Sequence, residues 1–308
     1  MASESGKPIV VVGSINIDMV ASTARIPLAG ETVTGHDFQL IPGGKGANQA
    51  VAVARLGYPV QMVGKVGSDI FGTQMLESLA REGVDTTAVG KEPGSSGVAM
   101  IAVAADGENS IIVVPGANAL VSPEYLEKHA EVIRGAGVVL AQLEIPLETV
   151  LRLAEMCRES KVPLMLDPAP ARTLPDELFR GLAWFTPNET EAAFFTETAG
   201  GAEKIARGLL EKGLQGVILK MGAKGSYVGT RDGKATVVDA FTVKAVDTTA
   251  AGDAFNGAFA TALMLGKSEA ESGRFASAAA AISVTRKGAQ PSMPTRPEIQ
   301  AMLLGESL

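Results

Sequence analysis

The stretch Asp247-Thr248-Thr249-Ala250-Ala251-Gly252-Asp253-Ala254-Phe255-Asn256-Gly257 sets small residues just before an aspartate that opens a long Ala- and Leu-rich segment. A helix starting there leaves its first backbone N–H groups unpaired, and Gly252 lets ligand oxygens come close to the chain, so the turn suits developing negative charge. Asp253 stands beside that turn. In phosphoryl transfer the protein mainly positions the reactants and neutralises charge on the equatorial oxygens, while a carboxylate accepts the proton of the attacking hydroxyl. Aspartate, with a reference pKa of ~3.9, suits late proton acceptance. The same spacing fits an aspartate that only caps or charges the first helical turn, and spacing alone leaves both readings open.

Two further constellations offer polar groups for a small ligand. Gly13-Ser14-Ile15-Asn16-Ile17-Asp18 follows an apolar run, and if the chain stays extended, Asn16 and Asp18 point to one side. An amide and a carboxylate on one wall match the mixed donors and acceptors of sugar hydroxyls. An Asx turn at a strand end is the competing reading. Pro42-Gly43-Gly44-Lys45-Gly46-Ala47-Asn48 places three glycines at a helix start, allowing close backbone approach to a ligand and setting Asn48 a turn inside, although such turns also occur without ligands.

Other chemistries lack their signatures. No Gly-x-Gly-x-x-Gly run supports a nicotinamide oxidoreductase, and Gly266-Lys267-Ser268 has Thr261 where a phosphate-binding P-loop needs its first glycine. The two histidines, His36 and His129, have no Cys or His neighbour at metal-ligand spacing and read as surface or loop residues. The single cysteine, Cys157, falls on the apolar side of a helix with Leu147, Val150, Leu151 and Ala154, as a small core residue. A net charge of −7 disfavours nucleic acid as a partner. Apolar runs stay far below the ~20 residues that span a bilayer, and Met1 to Pro8 lacks a signal peptide's apolar stretch, which places the chain in the cytoplasm with no membrane partner.

The elements that must position these residues are those of an α/β fold. A length of 308 residues with 46% hydrophobic content supports a large core. Short Val/Ile-rich runs at 9–12, 138–143, 163–166 and 217–219 alternate with segments of helical period at 146–160 and 202–212, the second stopping at Gly213. This predicts a doubly wound, mostly parallel sheet flanked by helices in one domain over 1–308. The rhythm breaks at 18–40 and at 97–114, where apolar runs flank Asp106-Gly107-Glu108-Asn109 as in a hairpin. Segments 15–42 and 96–116 are therefore expected to form a small β-sheet, acting as a lid, as the seam of a homodimer, or as both. Arg231-Asp232-Gly233 reads as another hairpin turn.

Taken together and in this order, the motif at 13–18, Gly-Gly-Lys-Gly-Ala-Asn at 43–48, Thr186-Pro187-Asn188-Glu189-Thr190-Glu191, the stretch at 247–256 and Arg286-Lys287-Gly288-Ala289-Gln290-Pro291-Ser292 resemble the ribokinase family of carbohydrate kinases. The resemblance covers nearly the whole chain. It implies ATP-dependent phosphorylation of a sugar, with Asn16, Asp18, Gly44, Lys45, Asn48, Glu144 and Asp253 holding the sugar and Ala251, Gly252 and Asp253 supplying the anion hole and base. It assigns Asn188 and Glu191 to the Mg2+–ATP end, directly or through water, though this pair also fits a helix-capping pattern. Lys220, Gly222, Gly225 and Ser277 would line the nucleotide, the two glycines serving equally well as plain turn residues. It further implies a K+ site from Asp247, the carbonyls of Thr249, Ser283, Arg286 and Gly288, and Ser292.

Asp18 and Glu144, both facing the substrate, would repel a phosphorylated sugar, which favours a neutral one. D-ribose, going to D-ribose 5-phosphate, comes first; a nucleoside or another neutral sugar comes next. A non-catalytic sugar-binding regulator on the same fold is the alternative of a different class, and an intact Asp253 argues against it.

Overall fold

Short aliphatic runs build the main sheet because helices cover both of its faces, so its central strands bury every side chain. Ile9–Val12, Val138–Ala141 and Leu164–Leu166 are buried throughout. In the computed structural model, which describes residues 6–198 and 200–305, nine strands lie in the order Ala235–Val238, Ser226–Thr230, Gly216–Lys220, Trp184–Phe185, Leu164–Leu166, Val138–Ala141, Ile9–Val12, Val60–Gly67, Asp85–Glu92. Residues 1–5, part of the stretch read above for a signal peptide, lie outside the described residues. Pairing is parallel from Gly216–Lys220 to Asp85–Glu92, and the first two strands, Ala235–Val238 and Ser226–Thr230, add on as antiparallel neighbours joined through Arg231-Asp232-Gly233.

Side-chain alternation along Ile9–Val12 feeds two cores. Ile9 and Val11 join the cluster holding Phe255 and Phe259, whereas Val10 and Val12 join the one holding Phe179, Phe185 and Cys157. Burial pushes the Cys157 thiol up to about 12, consistent with an inert core residue. Among the described residues no helix is long and apolar enough to cross a membrane.

Two boundaries differ from the sequence reading. The strand expected over 138–143 ends at Ala141, since the chain leaves the sheet there and Leu143 N–H bonds to the Ala169 carbonyl. The helix expected over 202–212 is Ala202–Leu210; its end tightens into bonds from Lys212 and Gly213 to carbonyls three residues back, with Gly213 at φ 107° closing the turn.

Two helices carry Lys45, Asn48 and Asp253. Lys45–Arg55 begins at Gly44 and packs along Ala251–Met264, where a Cβ on Gly257 would sit 2.7 Å from the Ala52 Cβ. A separate four-stranded sheet, in the order Gly35–Gly43, Asn16–Thr23, Gly97–Val103, Asn109–Val114, stands apart from the main one. Its outer pairs are antiparallel and its central pair parallel. It exposes a run of large apolar side chains, among them Phe38, Leu40, Met100, Ile111 and Ile112.

Candidate active site

The segment 13–18 and the glycine turn at 43–46 interlock. Gly44 has φ 87°, and a Cβ there would lie 2.7 Å from the Asn16 amide nitrogen; a Cβ on Gly43 would meet the Asp18 carboxylate at 2.3 Å. The three glycines thus admit the chain's own backbone and the Asp18 side chain, a structural use that stands beside the ligand approach read from the sequence. Asn16 and Asp18 lie in the strand Asn16–Thr23, extended and not in an Asx turn. Asn16 Oδ1 accepts a hydrogen bond from Asn118 Nδ2 at 2.7 Å, and Asn118 also holds the backbone of Ile15 from both sides. Glu144 accepts from Ser14 Oγ and from the backbone N–H of Lys45. Burial first, then the neighbouring Glu144 and Asp253, raise the Asp18 carboxyl to about 7.

Asp253 sits in the first turn of Ala251–Met264 and does not cap it. The helix has no side-chain cap, and Ala250 before it takes φ 58°, a left-handed conformation uncommon for a residue with a Cβ. The Asp253 carboxylate instead accepts from Asn48 Nδ2 and Gln49 Nε2, each at 3.0 Å, and is 4% exposed. Burial raises its pKa to about 6; Lys45 and the two amide bonds oppose that rise, and Asp167 adds to it. Burial works against the charge on Lys45, but Asp253, Asp167, Glu144 and Glu191 outweigh it and hold the ammonium above its ordinary range.

A cavity of about 710 Å³ opens on the other side of Asp253. Lys45, Asn188, Glu191, Lys220, Gly222, Gly225, Ala251, Gly252, Asp253 and Ser277 all line it, with apolar walls from residues such as Phe241, Val243 and Ala280. Asn188 and Glu191 form a reciprocal capping box on Glu189–Phe195, so the capping reading holds while both groups still face the cavity. Burial and then the nearby Asp167 raise the Glu191 carboxyl, opposed by Lys220, the Asn188 N–H and Lys45. Lys220 Nζ is 3.0 Å from Asp167 Oδ1, and a Cβ on Gly252 would lie 3.3 Å from that ammonium. A positive charge therefore overlies the uncapped helix start. Asn16, Asp18, Gly44, Asn48 and Glu144 do not line this cavity; they form the adjoining cluster, and Lys45 and Asp253 belong to both.

The residues of the implied cation set also gather, one loop away. Asp247 accepts from the N–H groups of Thr249 and Gly288, each at 2.9 Å, and Ser283 Oγ lies 2.8 Å from Ser292 Oγ. The Arg286 guanidinium turns away to Glu298, leaving its carbonyl as the atom that would serve a cation. Among the described residues no group of three or more His, Cys, Asp or Glu is placed to hold a metal.

The pattern of the pfkB family of carbohydrate kinases matches residues 7–296. The chain belongs to that family. It is 46% identical over 297 residues to the ribokinase of Haemophilus influenzae, covering 95% of this chain and 97% of the relative. It is 41% identical over 293 residues to the deoxyribokinase of Salmonella typhi, covering 93% and 95%. The solved structure of Arabidopsis thaliana ribokinase complexed with ribose and ATP matches at a TM-score of 0.92 and 38% identity, covering 97% of this chain and 99% of that one.

The kinase has groups at the site that sequence reasoning missed: Asp167, which lines the cavity, and the buried supports Gln49, Gln142 and Asn118. Asp167 directly follows the strand Leu164–Leu166, and a carboxylate at the carboxyl edge of a buried parallel strand is a readable signal. Gln49 and Gln142 carry no such mark, because their partners are about a hundred residues away or more.

Proposed function

We propose that this kinase transfers the γ-phosphoryl group of ATP to a hydroxyl of a neutral sugar, taking D-ribose to D-ribose 5-phosphate, with Asp253 as general base. The observation that carries the reading is the place of Asp253: buried, held by two amides, and shared between a cluster of sugar-sized polar groups and a nucleotide-sized cavity. The sugar lies against Asn16, Asp18, Gly44, Lys45, Asn48 and Glu144. Its hydroxyl oxygen forms a bond to the γ-phosphorus as Asp253 takes the proton, and the bond to the bridging oxygen of ADP breaks. Charge on the equatorial oxygens meets the N–H groups of Ala251, Gly252 and Asp253 at the uncapped helix start. Lys220, Gly222, Gly225 and Ser277 border the nucleotide.

Glu191, raised first by burial and then by Asp167, makes with Asp167 a carboxylate pair that suits a divalent cation, and Asn188 with Glu191 would hold Mg2+ directly or through water. Mg2+ supplies neutralisation of phosphate charge when bound. Asp247, the carbonyls of Thr249, Ser283, Arg286 and Gly288, and Ser292 make an oxygen-only set suited to K+. The whole chain works as a single domain in the cytoplasm, with segments 15–42 and 96–116 closing over the sugar as a lid. A second copy of the chain covers the exposed apolar face of that sheet.

A second reading, 2-deoxyribose as substrate, is favoured by the 41% identity to a deoxyribokinase. An ADP-release assay over ribose, deoxyribose, hexoses and nucleosides, run with K+ or with tetramethylammonium in its place, tests these readings. The expected result is fastest turnover on ribose and a clear loss without K+. No ADP release on any sugar would overturn the kinase reading, and equal rates in both salts would remove the K+ site.

A further inference from the structure

Beside the base lies a buried side chain to which nothing above assigns a role. Gln49 is 1% exposed and does not line the cavity, yet its Nε2 is 3.0 Å from Asp253 Oδ1 and 3.3 Å from Asp167 Oδ2. Its other end is fixed as well: Oε1 accepts from Nε2 of the fully buried Gln142 at 2.8 Å. That bond decides which end of the Gln49 amide faces the carboxylates, since a flipped amide would set two N–H2 groups against each other. Gln142 in turn depends on Gly13, where a Cβ would fall 2.1 Å from Gln142 Oε1. The remaining Asp167 oxygen is taken by Lys220. A directed chain results, running from Gln142 through Gln49 to both carboxylates, with Lys220 closing the far side.

We infer that Gln49 is a positioning residue for the phosphoryl transfer, its one amide group holding Asp253 toward the sugar hydroxyl while separating it from Asp167. The inference rests on Asp253 being the base. Two carboxylates facing one site repel, and each is harder to ionise beside the other. An amide nitrogen between them gives one hydrogen to each and bears no charge. Asn48, the preceding residue of the same helix, takes the second Asp253 oxygen, so consecutive side chains fix both oxygens of the base. Substrate does not reach Gln49; its effect passes through Asp253.

The inference separates from a merely structural role through the dependence of rate on pH. The charged groups around Asp253 are Lys45 on the helix that carries Gln49, Asp167 beyond Leu164–Leu166, Asp18 on the small sheet and, through Asp167, Lys220. Gln49→Glu keeps the shape, retains the bond from Gln142 and turns the donor toward the carboxylates into an acceptor. Steady-state kinetics of the full chain from about pH 5 to 9 are expected to show its acidic limb moved up by about one pH unit. kcat then falls about tenfold at pH 5 but only about twofold at pH 7 and recovers toward pH 9, while KM for ATP and sugar stays within about twofold. Gln142→Met, which frees Gln49 to flip, moves the limb the same way by less. An unmoved limb in Gln49→Glu, or a loss equal at every pH, overturns the inference; should that variant fail to fold, an unmoved limb in Gln142→Met does so. Asp253→Asn with wild-type turnover would instead remove the base itself, a separable failure.

Discussion

The cluster of Asn16, Asp18 and Glu144 and the cavity bounded by Asn188, Lys220 and Gly225 meet at Asp253, and they are made of different materials. On the first side the groups are charged or amide side chains, crowded enough that Asp18 is raised to about 7 and packed onto glycines that exist to admit them. On the second side the shape comes from backbone turns and apolar walls, with charge confined to Lys45, Asp167, Glu191 and Lys220 around Asp253. A neutral polyol needs matched donors and acceptors at fixed places, and a carboxylate pair also repels an already phosphorylated sugar. A nucleotide brings its own charge and a flat apolar base, so room and a positive end suffice. Selectivity is therefore concentrated on the crowded side.

Breaking the junction itself has the largest expected effect. Asp253→Asn should lower kcat by ~10² or more with ATP binding nearly unchanged, as read by turnover and by nucleotide titration; a normal rate would dissolve the division at its centre. Next comes the crowded side: Asp18→Asn should raise KM for sugar by ~10-fold, leave KM for ATP alone and raise the melting temperature, because a buried charge beside two others is removed. A matching rise in KM for ATP would show that the two sides are not separate.

On the roomy side, Gly225 has φ 90° and a Cβ there would lie 2.0 Å from the Val238 carbonyl. Gly225→Ala should cost about 1–3 kcal/mol of stability and raise KM for ATP several-fold with KM for sugar steady. Gly222, at φ 57° with open space around it, should tolerate alanine at smaller cost. The gentlest probe is pH. Asp18 and Asp253 have folded pKa values of about 7 and about 6, above the unfolded carboxylate value, so the folded state binds more protons than the unfolded one between about pH 4 and 7. Their contribution to stability therefore grows as pH falls through that window, while turnover, which needs ionised Asp253, declines below about 6. Melting curves and kcat measured at about pH 5 and 8 should move in opposite directions, and Asp18→Asn should flatten the melting trend.

The main sheet was readable because its strands are short buried runs whose composition is set locally, as at Ile9–Val12 and Leu164–Leu166. The hairpin around Asp106–Asn109 and the capping box at Asn188 and Glu191 were readable for the same reason, each being written within a few residues. The packing of the glycines at 43–46 against residues 13–18 was not legible, since local spacing does not reveal which chain will lie against them. Gln49 stayed hidden because a buried amide has meaning only through its partners, and those come from distant strands and helices. Ala250 gave no warning of its left-handed conformation, which the surrounding turn imposes on an ordinary residue.

Where Gly257 lies against Ala52, the two helices that carry Asp253, Asn48 and Gln49 touch almost backbone to backbone. They form one solid jaw. Under the proposed function, sugar would not enter by prising this jaw apart, which would tear the amide bonds from the carboxylate, and the proposed lid, the four-stranded sheet, is the piece left to move. On that proposal entry speed and bond-making speed would belong to separate pieces of the molecule, and either one would be free to change while the other keeps its pace.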